Sequence, residues 1–313
     1  MDELAGLLAA GERAAFRGSP ASGVDPLGRA IELAHVGGNA VEAAAATWLL
    51  GVCHSAAGNF GASLEVFATL RPTVVPGVEP HRYASLAAAA AAAVLRQVGD
   101  HDQARLLDEE ALGLSYGVAA AAFDARLGLA ADAIGLSDVE LAAQHLEQAA
   151  AMAASRPDWW RQRVRRDWVR AELSLLRQDP ARAAAEASTA VALAEQSGAP
   201  RHVAKGLLYV GAAAALQGDL PGASAALRRA ARLAENVGAR PVAWPARALL
   251  GRLLAASDAA EAERNIEAAR EMVVELSALV PAEFQPSWLG RPDVSDLLAL
   301  TVVPAEERVT ESS

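Results

Sequence analysis

Apolar, alanine-rich runs fill most of the chain, and short polar corners interrupt them at a regular interval. The clearest corners read "GN" at 58–59, "GD" at 99–100, "SD" at 137–138, "QD" at 178–179, "GD" at 218–219 and "SD" at 257–258. Their second residues stand 41, 38, 41, 40 and 39 positions apart, a period of about forty. Such a period marks a stacked repeat architecture. Each corner has a physical meaning. Glycine ends one helix in the left-handed conformation, and Asp or Asn caps the start of the next.

Four residues past each corner stands a small residue: Ser63, Ala104, Ala142, Ala183, Ala223 and Ala262. Four further on come Phe67, Asp108, Leu146, Ala187, Leu227 and Ile266. The spacing puts both on one helix face. Upstream, the first helix of each pair carries its own small landmark: Gly51, Ala92, Gly128, Ala171, Gly211 and Gly251. Small residues there let two helices approach closely. Counting outward predicts about seven antiparallel helix pairs, over 1–38, 39–80, 81–119, 120–156, 157–199, 200–239 and 240–281. The first pair is degenerate, as terminal caps tend to be. The expected repeat domain spans 1–300, closed by a helix near 294–300, and 301–313 is expected to be a flexible tail.

Composition strengthens the helical reading. Alanine, the best helix former, supplies 78 of 313 residues, and aromatics are only 4%. The net charge of −10 argues against direct nucleic-acid binding, which needs a basic face. Cys53 is the only cysteine, so neither an internal disulfide nor a cysteine-based metal site is expected. The acidic start "MDELAGLLAAGERAAF" lacks the features of a signal peptide, and "ASLAAAAAAAVL" (84–95) is too short to span a bilayer. A cytoplasmic setting without membrane partners is the expectation.

"LLG" at 49–51 and 249–251, "YVG" at 209–211 and the Gly-Asp corners resemble the tetratricopeptide repeat. The match is good at 47–70, 204–230 and 247–269, and weak at 120–156 and 157–190. The resemblance implies an all-α, right-handed superhelical solenoid whose first helices line a concave groove. The long period, the "LAE..G" helix ends and the closing "FQPSWLGRPDVSDLL" resemble the sensor arrays of large ATP-binding LuxR-type, maltose-activator-like regulators. Those proteins also carry nucleotide-binding and helix-turn-helix domains, and neither a Walker motif nor a basic recognition helix occurs here.

Catalytic signatures are absent: no G-x-S-x-G elbow, H-E-x-x-H, P-loop or dinucleotide fingerprint. The six histidines are scattered, and no metal or cofactor is expected. What remains is the groove stripe, three and six residues before each small landmark and one after it. Trp48 and Trp168 occupy the first of these offsets, Arg165 and Lys205 the second, and Arg252 the third. Aromatic walls with a few charges suit a small-molecule or peptide site. Arg165 and Trp168 lie in "DWWRQRVRRDWVR" (158–170), which holds three of the six tryptophans. Val164 and Ala171 read as packing, Trp159 and Trp160 as filling at the helix start. Arg161, Arg163, Arg166 and Arg170 are assigned to solvent. The stripe suits three roles: a functional groove, packing beneath a solvated face, or a dimer contact.

The functional expectation is therefore a non-catalytic module. It holds a peptide, protein segment or small acidic or aromatic ligand in the groove, in bacterial regulation or scaffolding. The alternative is an enzyme or drug-binding protein built on the same scaffold, which requires a deep, closed central cavity.

Overall fold

The computed structural model describes residues 2–300, so the expected tail, 301–313, lies outside the described residues. The corners and landmarks fall where the forty-residue period puts them. α1 (Asp2–Arg17) and α2 (Val24–Val36) form the first pair, joined through a 3-10 turn (Pro20–Gly23). The next pairs are α3 (Ala40–Ala57) with α4 (Phe60–Leu70), α5 (Arg82–Val98) with α6 (His101–Leu114), and α7 (Ala119–Gly135) with α8 (Val139–Ala153). α9 (Trp160–Leu176) pairs with α10 (Pro180–Gln196), α11 (Pro200–Leu216) with α12 (Leu220–Asn236), and α13 (Arg240–Leu254) with α14 (Ala259–Ser277). A 3-10 turn (Ala282–Phe284) and two short helices follow, α15 (Gln285–Gly290) and α16 (Pro292–Ala299). No strand occurs among the described residues.

The corners work as their chemistry requires. The side chains of Asp100, Asp138, Asp179, Asp219 and Asp258 each accept the backbone N–H three residues on, at 2.9 to 3.1 Å. That bond satisfies one of the helix's unpaired first-turn donors. Asn59 is the exception: its side-chain oxygen accepts from Arg240 at 3.2 Å instead. Gly58 and Gly99 turn the corner at φ 89°. In the fourth and fifth pairs Ser137 (φ 63°) and Gln178 (φ 57°) adopt the same left-handed conformation without glycine's freedom.

The small landmarks explain the close pairing. A side chain at Gly51 would strike the Phe67 ring, and one at Gly211 would lie 2.6 Å from Leu227. Ser63, Ala104, Ala142, Ala183, Ala223 and Ala262 are all buried on the facing helices. Gly128 departs from the pattern, because its neighbour is the Asp108 carboxylate rather than an apolar side chain.

The first helices of successive pairs touch one another in sequence, from α3 through α5, α7, α9 and α11 to α13. α13 then meets α3, so six inner helices close a ring, with their partners outside. α3 is long and apolar enough to cross a membrane by length and composition. Here it packs against α1, α2, α4, α5 and α13 as part of the ring wall. At the seam, Arg240 donates to the Ala57 carbonyl at 3.1 Å, and the Gly61 N–H donates to the Leu279 carbonyl at 3.0 Å.

Two elements cap the ring. On one side α1 reaches α11 and the turn before it: Arg201 of α11 donates to the Ala15 carbonyl (3.0 Å), and Arg17 donates to the carbonyl of Ser197 at the end of α10 (3.1 Å). On the other, Trp288 of α15 is buried with Phe60 and Trp244 in the largest core cluster. Its indole N–H donates to the Ser277 hydroxyl at 2.7 Å. Arg291 donates to the Gln97 carbonyl on α5 and lies 5.5 and 5.3 Å from the Trp244 and Trp288 rings.

Candidate functional site

Closure turns the expected open groove into a lumen. Its larger chamber, about 720 Å³, is lined by the inner helices and by residues 287–293 of the C-terminal cap. A smaller chamber of about 160 Å³ lies towards α1, which contributes Phe16 to its wall. Ala93, Gln97, Arg165, Trp168 and Arg201 line both chambers.

Arg165 and Trp168 thus stand at the junction, Trp48 lines the smaller chamber, and Lys205 lines the larger one. Arg252 is separate from them. It is exposed on the last repeat, 3.9 Å from Asp296, and lines neither chamber. α13 presents Trp244 and Pro245 to the lumen, whereas Arg252, nearer the C-terminal end of that helix, faces Asp296 of α16.

Other assignments in the tryptophan-rich helix also change. Arg161 is not a solvated residue. Its guanidinium lies 5.1 Å from the Phe16 ring and 5.7 Å from Trp48, and donates to Asp124 at 3.2 Å. Arg165 donates to the other oxygen of Asp124 at 2.6 Å. Arg166 pairs with buried Asp167 at 2.7 Å. Val164 and Ala171 are core. Trp159 packs edge-on against Phe123 at 5.7 Å, and Trp160 lies edge-on to His202 at 5.4 Å.

His202 stacks on Trp168 at 5.2 Å. Burial drives its pKa well below the ordinary value, and the Arg201, Arg161 and Arg165 charges add to the fall. The imidazole is therefore neutral at physiological pH. Arg201 makes no ion pair among the described residues; burial pushes its pKa down to about 10, and Arg161 and Arg165 contribute. Lys205 also lacks an ion-pair partner among the described residues. Burial lowers its pKa, partly offset by Glu172. Its ammonium sits 5.5 Å from the Tyr209 ring, and the Tyr209 hydroxyl donates to Glu172 at 3.2 Å.

The lining is cationic although the chain is acidic overall. Arg96, Arg161, Arg165, Arg201, Lys205 and Arg291 face Asp124, Glu172 and Asp293. Behind the wall, Arg96 is additionally held by Asp108 and by Asp132 (3.1 Å). The stripe offsets leave Arg161 to solvent and do not reach Arg201 or Asp124. The signal was present one turn further back: Arg161 and Arg201 both stand ten residues before their landmarks, Ala171 and Gly211. Asp124 stands four before Gly128, on the flank of the stripe.

The lumen offers donors, cations and aromatic faces. The one thiol, Cys53, is buried, with its pKa pushed up to about 11 by desolvation. Among the described residues no group of three His, Cys, Asp or Glu side chains could hold a metal ion.

No protein-family model matches the chain, and no curated protein matches it. Its fold is nevertheless that of known helical repeat proteins. A Rap protein complexed with Competence and Sporulation Factor superposes with a TM-score of 0.58 at 12% identity, over 92% of this chain and 82% of that one. A signal-transduction ATPase with numerous domains and a tetratricopeptide repeat sensor, from Pyrococcus horikoshii, gives 0.56 at 13% identity, over 92% and 46%. The APC/C hetero-tetramer Cut9–Hcn1 gives 0.52 at 15% identity, over 88% and 48%. Over the described residues the fold is an all-helical, tetratricopeptide-like array.

Proposed function

We propose that this array is a non-catalytic binding module that encloses a compact acidic ligand, a short peptide or small molecule, and reports its presence in a regulatory system. The observation that carries the reading is the lumen's charge: among the described residues Arg201 and Lys205 line it without an ion-pair partner, and Arg161 and Arg165 share the single carboxylate of Asp124, inside a protein of net charge −10. Desolvated cations without partners are costly, and a bound anion would relieve that cost. The larger chamber's volume falls within the roughly 300–1,000 Å³ typical of small-ligand sites. Ring closure disfavours a long protein segment lying across the array, which an open groove would admit. The neighbours support the class of role: one is complexed with a factor, and another carries its repeats as a sensor. Burial, reinforced by the charge and hydrogen bond of Glu172, keeps the Tyr209 phenol protonated; its one O–H is donated to Glu172, which leaves the phenol oxygen free to accept from a ligand.

Tryptophan fluorescence tests the reading, because Trp48 and Trp168 line the chambers. Titration with short acidic peptides and small carboxylates or phosphates should give saturable changes, and neutral or basic analogues none. Arg165→Gln combined with Lys205→Gln should weaken each hit at least about tenfold while thermal unfolding stays cooperative. Equal binding of every hit by that variant and the parent would remove the lumen from consideration.

A further inference from the structure

The charge surplus is concentrated in the smaller chamber. Three guanidinium groups, Arg161 and Arg165 on α9 and Arg201 on α11, meet a single carboxylate there, Asp124 on α7. Arg161 and Arg165 each bond one Asp124 oxygen, and Arg201 spends one donor on a backbone carbonyl. Two positive charges remain unbalanced. The rest of the wall carries no charge: Phe16, Trp48 and Trp168 stand beside neutral His202, with Ser55 and Gln97 the uncharged polar groups. Arg161 lies against the packed Phe16–Trp48 pair and bonds Asp124, so its guanidinium is held in place before any ligand arrives.

The chamber, about 160 Å³, is large enough for a compact anionic group, since a single water needs only about 10–15 Å³ of such volume. Charge rather than size decides what suits it. A carboxylate would neutralise only half of the surplus. A dianion neutralises all of it, and arginine forks match phosphate oxygens geometrically.

We infer that the smaller chamber seats the dianionic phosphate of a phosphate monoester whose body extends past Trp168 and Arg165 into the larger chamber; the inference rests on the lumen being the ligand site. The two chambers adjoin at the residues that line both, Arg165 and Trp168 among them. The cationic groups facing the phosphate come from two helices, and the opposing wall from α1, α3 and α5 adds no carboxylate.

Phenyl phosphate and phenyl sulfate share a body and differ by one charge at pH 7.5, above the second phosphate pKa of about 6. Calorimetric titration of the full chain should give an affinity for phenyl phosphate at least about tenfold above that for phenyl sulfate. Inorganic phosphate should compete with it. Arg161→Gln and Arg201→Gln should each erase the advantage, whereas Lys205→Gln should weaken both ligands alike. Should Arg201→Gln unfold by losing its bond to α1, Arg161→Gln leaves Asp124 paired with Arg165 and reads the same quantity. Equal affinity for the two ligands, or an advantage that survives Arg161→Gln, overturns the inference. Acidic peptides that bind through Lys205 without any phosphate preference overturn it too, yet leave the binding-module reading intact. Failure of every acidic probe to bind overturns both.

Discussion

One arginine at the edge of the lumen holds two carboxylates that have no access to water. Arg96 on α5 donates to Asp108 of α6, and to both oxygens of Asp132 on α7 at 3.1 Å. Both aspartates are 0% exposed. His101 adds a weak neighbour, 3.7 Å from Asp132. Two acids on one guanidinium leave an excess negative charge, and desolvation pushes the Asp108 pKa well above the carboxylate range. Arg96 opposes that rise and Asp132 reinforces it. Replacing Arg96 with Met strands both carboxylates, and breaking a buried pair in this way costs about 3–5 kcal/mol. That is a large share of the roughly 5–15 kcal/mol that stabilises a typical domain. Asp108→Asn acts oppositely, because the amide oxygen can still accept from Arg96 while the unmatched charge disappears. The sign with pH follows from the raised pKa. Between its unfolded value near 3.9 and its higher folded value, folded Asp108 keeps a proton that the unfolded chain has released. Its contribution is therefore fully present below about pH 3.9 and is lost as pH rises through that window, at up to about 1.4 kcal/mol per pH unit. The Asn variant should lack this decline and be more stable than the parent at pH 8. Urea unfolding followed by far-UV circular dichroism, from pH 4.5 to 8, measures all of these. Amide exchange in α5–α7 gives the local counterpart where the array unfolds in stages. Arg96→Met within about 1 kcal/mol of the parent, or Asp108→Asn less stable at every pH, would refute the buried-triad account.

Four further outcomes follow from the fold. Gln178→Gly relieves a left-handed backbone held by a non-glycine residue (φ 57°) and should raise stability by about 0.5–1 kcal/mol, read as a shift in the thermal midpoint. Asp219→Ala should cost about 1 kcal/mol through a lost helix cap. Asn59→Ala instead removes the Arg240 contact, so pairing it with Arg240→Ala in a double-mutant cycle should give a coupling energy that Asp219 and Arg240 lack. Arg252→Ala, at an exposed position outside both chambers, should leave ligand affinity unchanged and stability within about 0.5 kcal/mol.

The helix pairs were legible because capping and close approach are local demands. A corner needs a residue that accepts a backbone N–H, and a tight crossing needs a residue without a bulky side chain. Those demands recur wherever the crossing recurs, so Asp100, Asp138, Gly51 and Gly211 announce themselves at fixed spacing. Asp108 shows where the pattern bends. It stands at a position that Phe67 and Leu227 fill with apolar bulk, and only the arginine on the preceding helix and the space left by Gly128 make a carboxylate tolerable there. The pattern identified the position, but the partner came from another helix.

Closure accounts for what was not legible. Six inner helices that meet end to end turn by about 60° per pair on average, and a modest change in that angle would leave the array open. No single residue encodes such an angle; it is the sum of many packing contacts. Its consequences for individual side chains are nevertheless decisive. In an open array Arg161 and Arg201 would stand at the outer end of a groove, near solvent, where their charges need no partner. In the ring, α1 and α3 come over them: Phe16 and Trp48 stack on Arg161, and the α1 backbone takes one donor of Arg201. The same arginines are then withdrawn from water beside a single carboxylate. The cationic character of the site is thus a product of the seam, not of the repeat. Variants that loosen the seam at Arg240 should accordingly weaken anion binding in the lumen without touching any group that lines it.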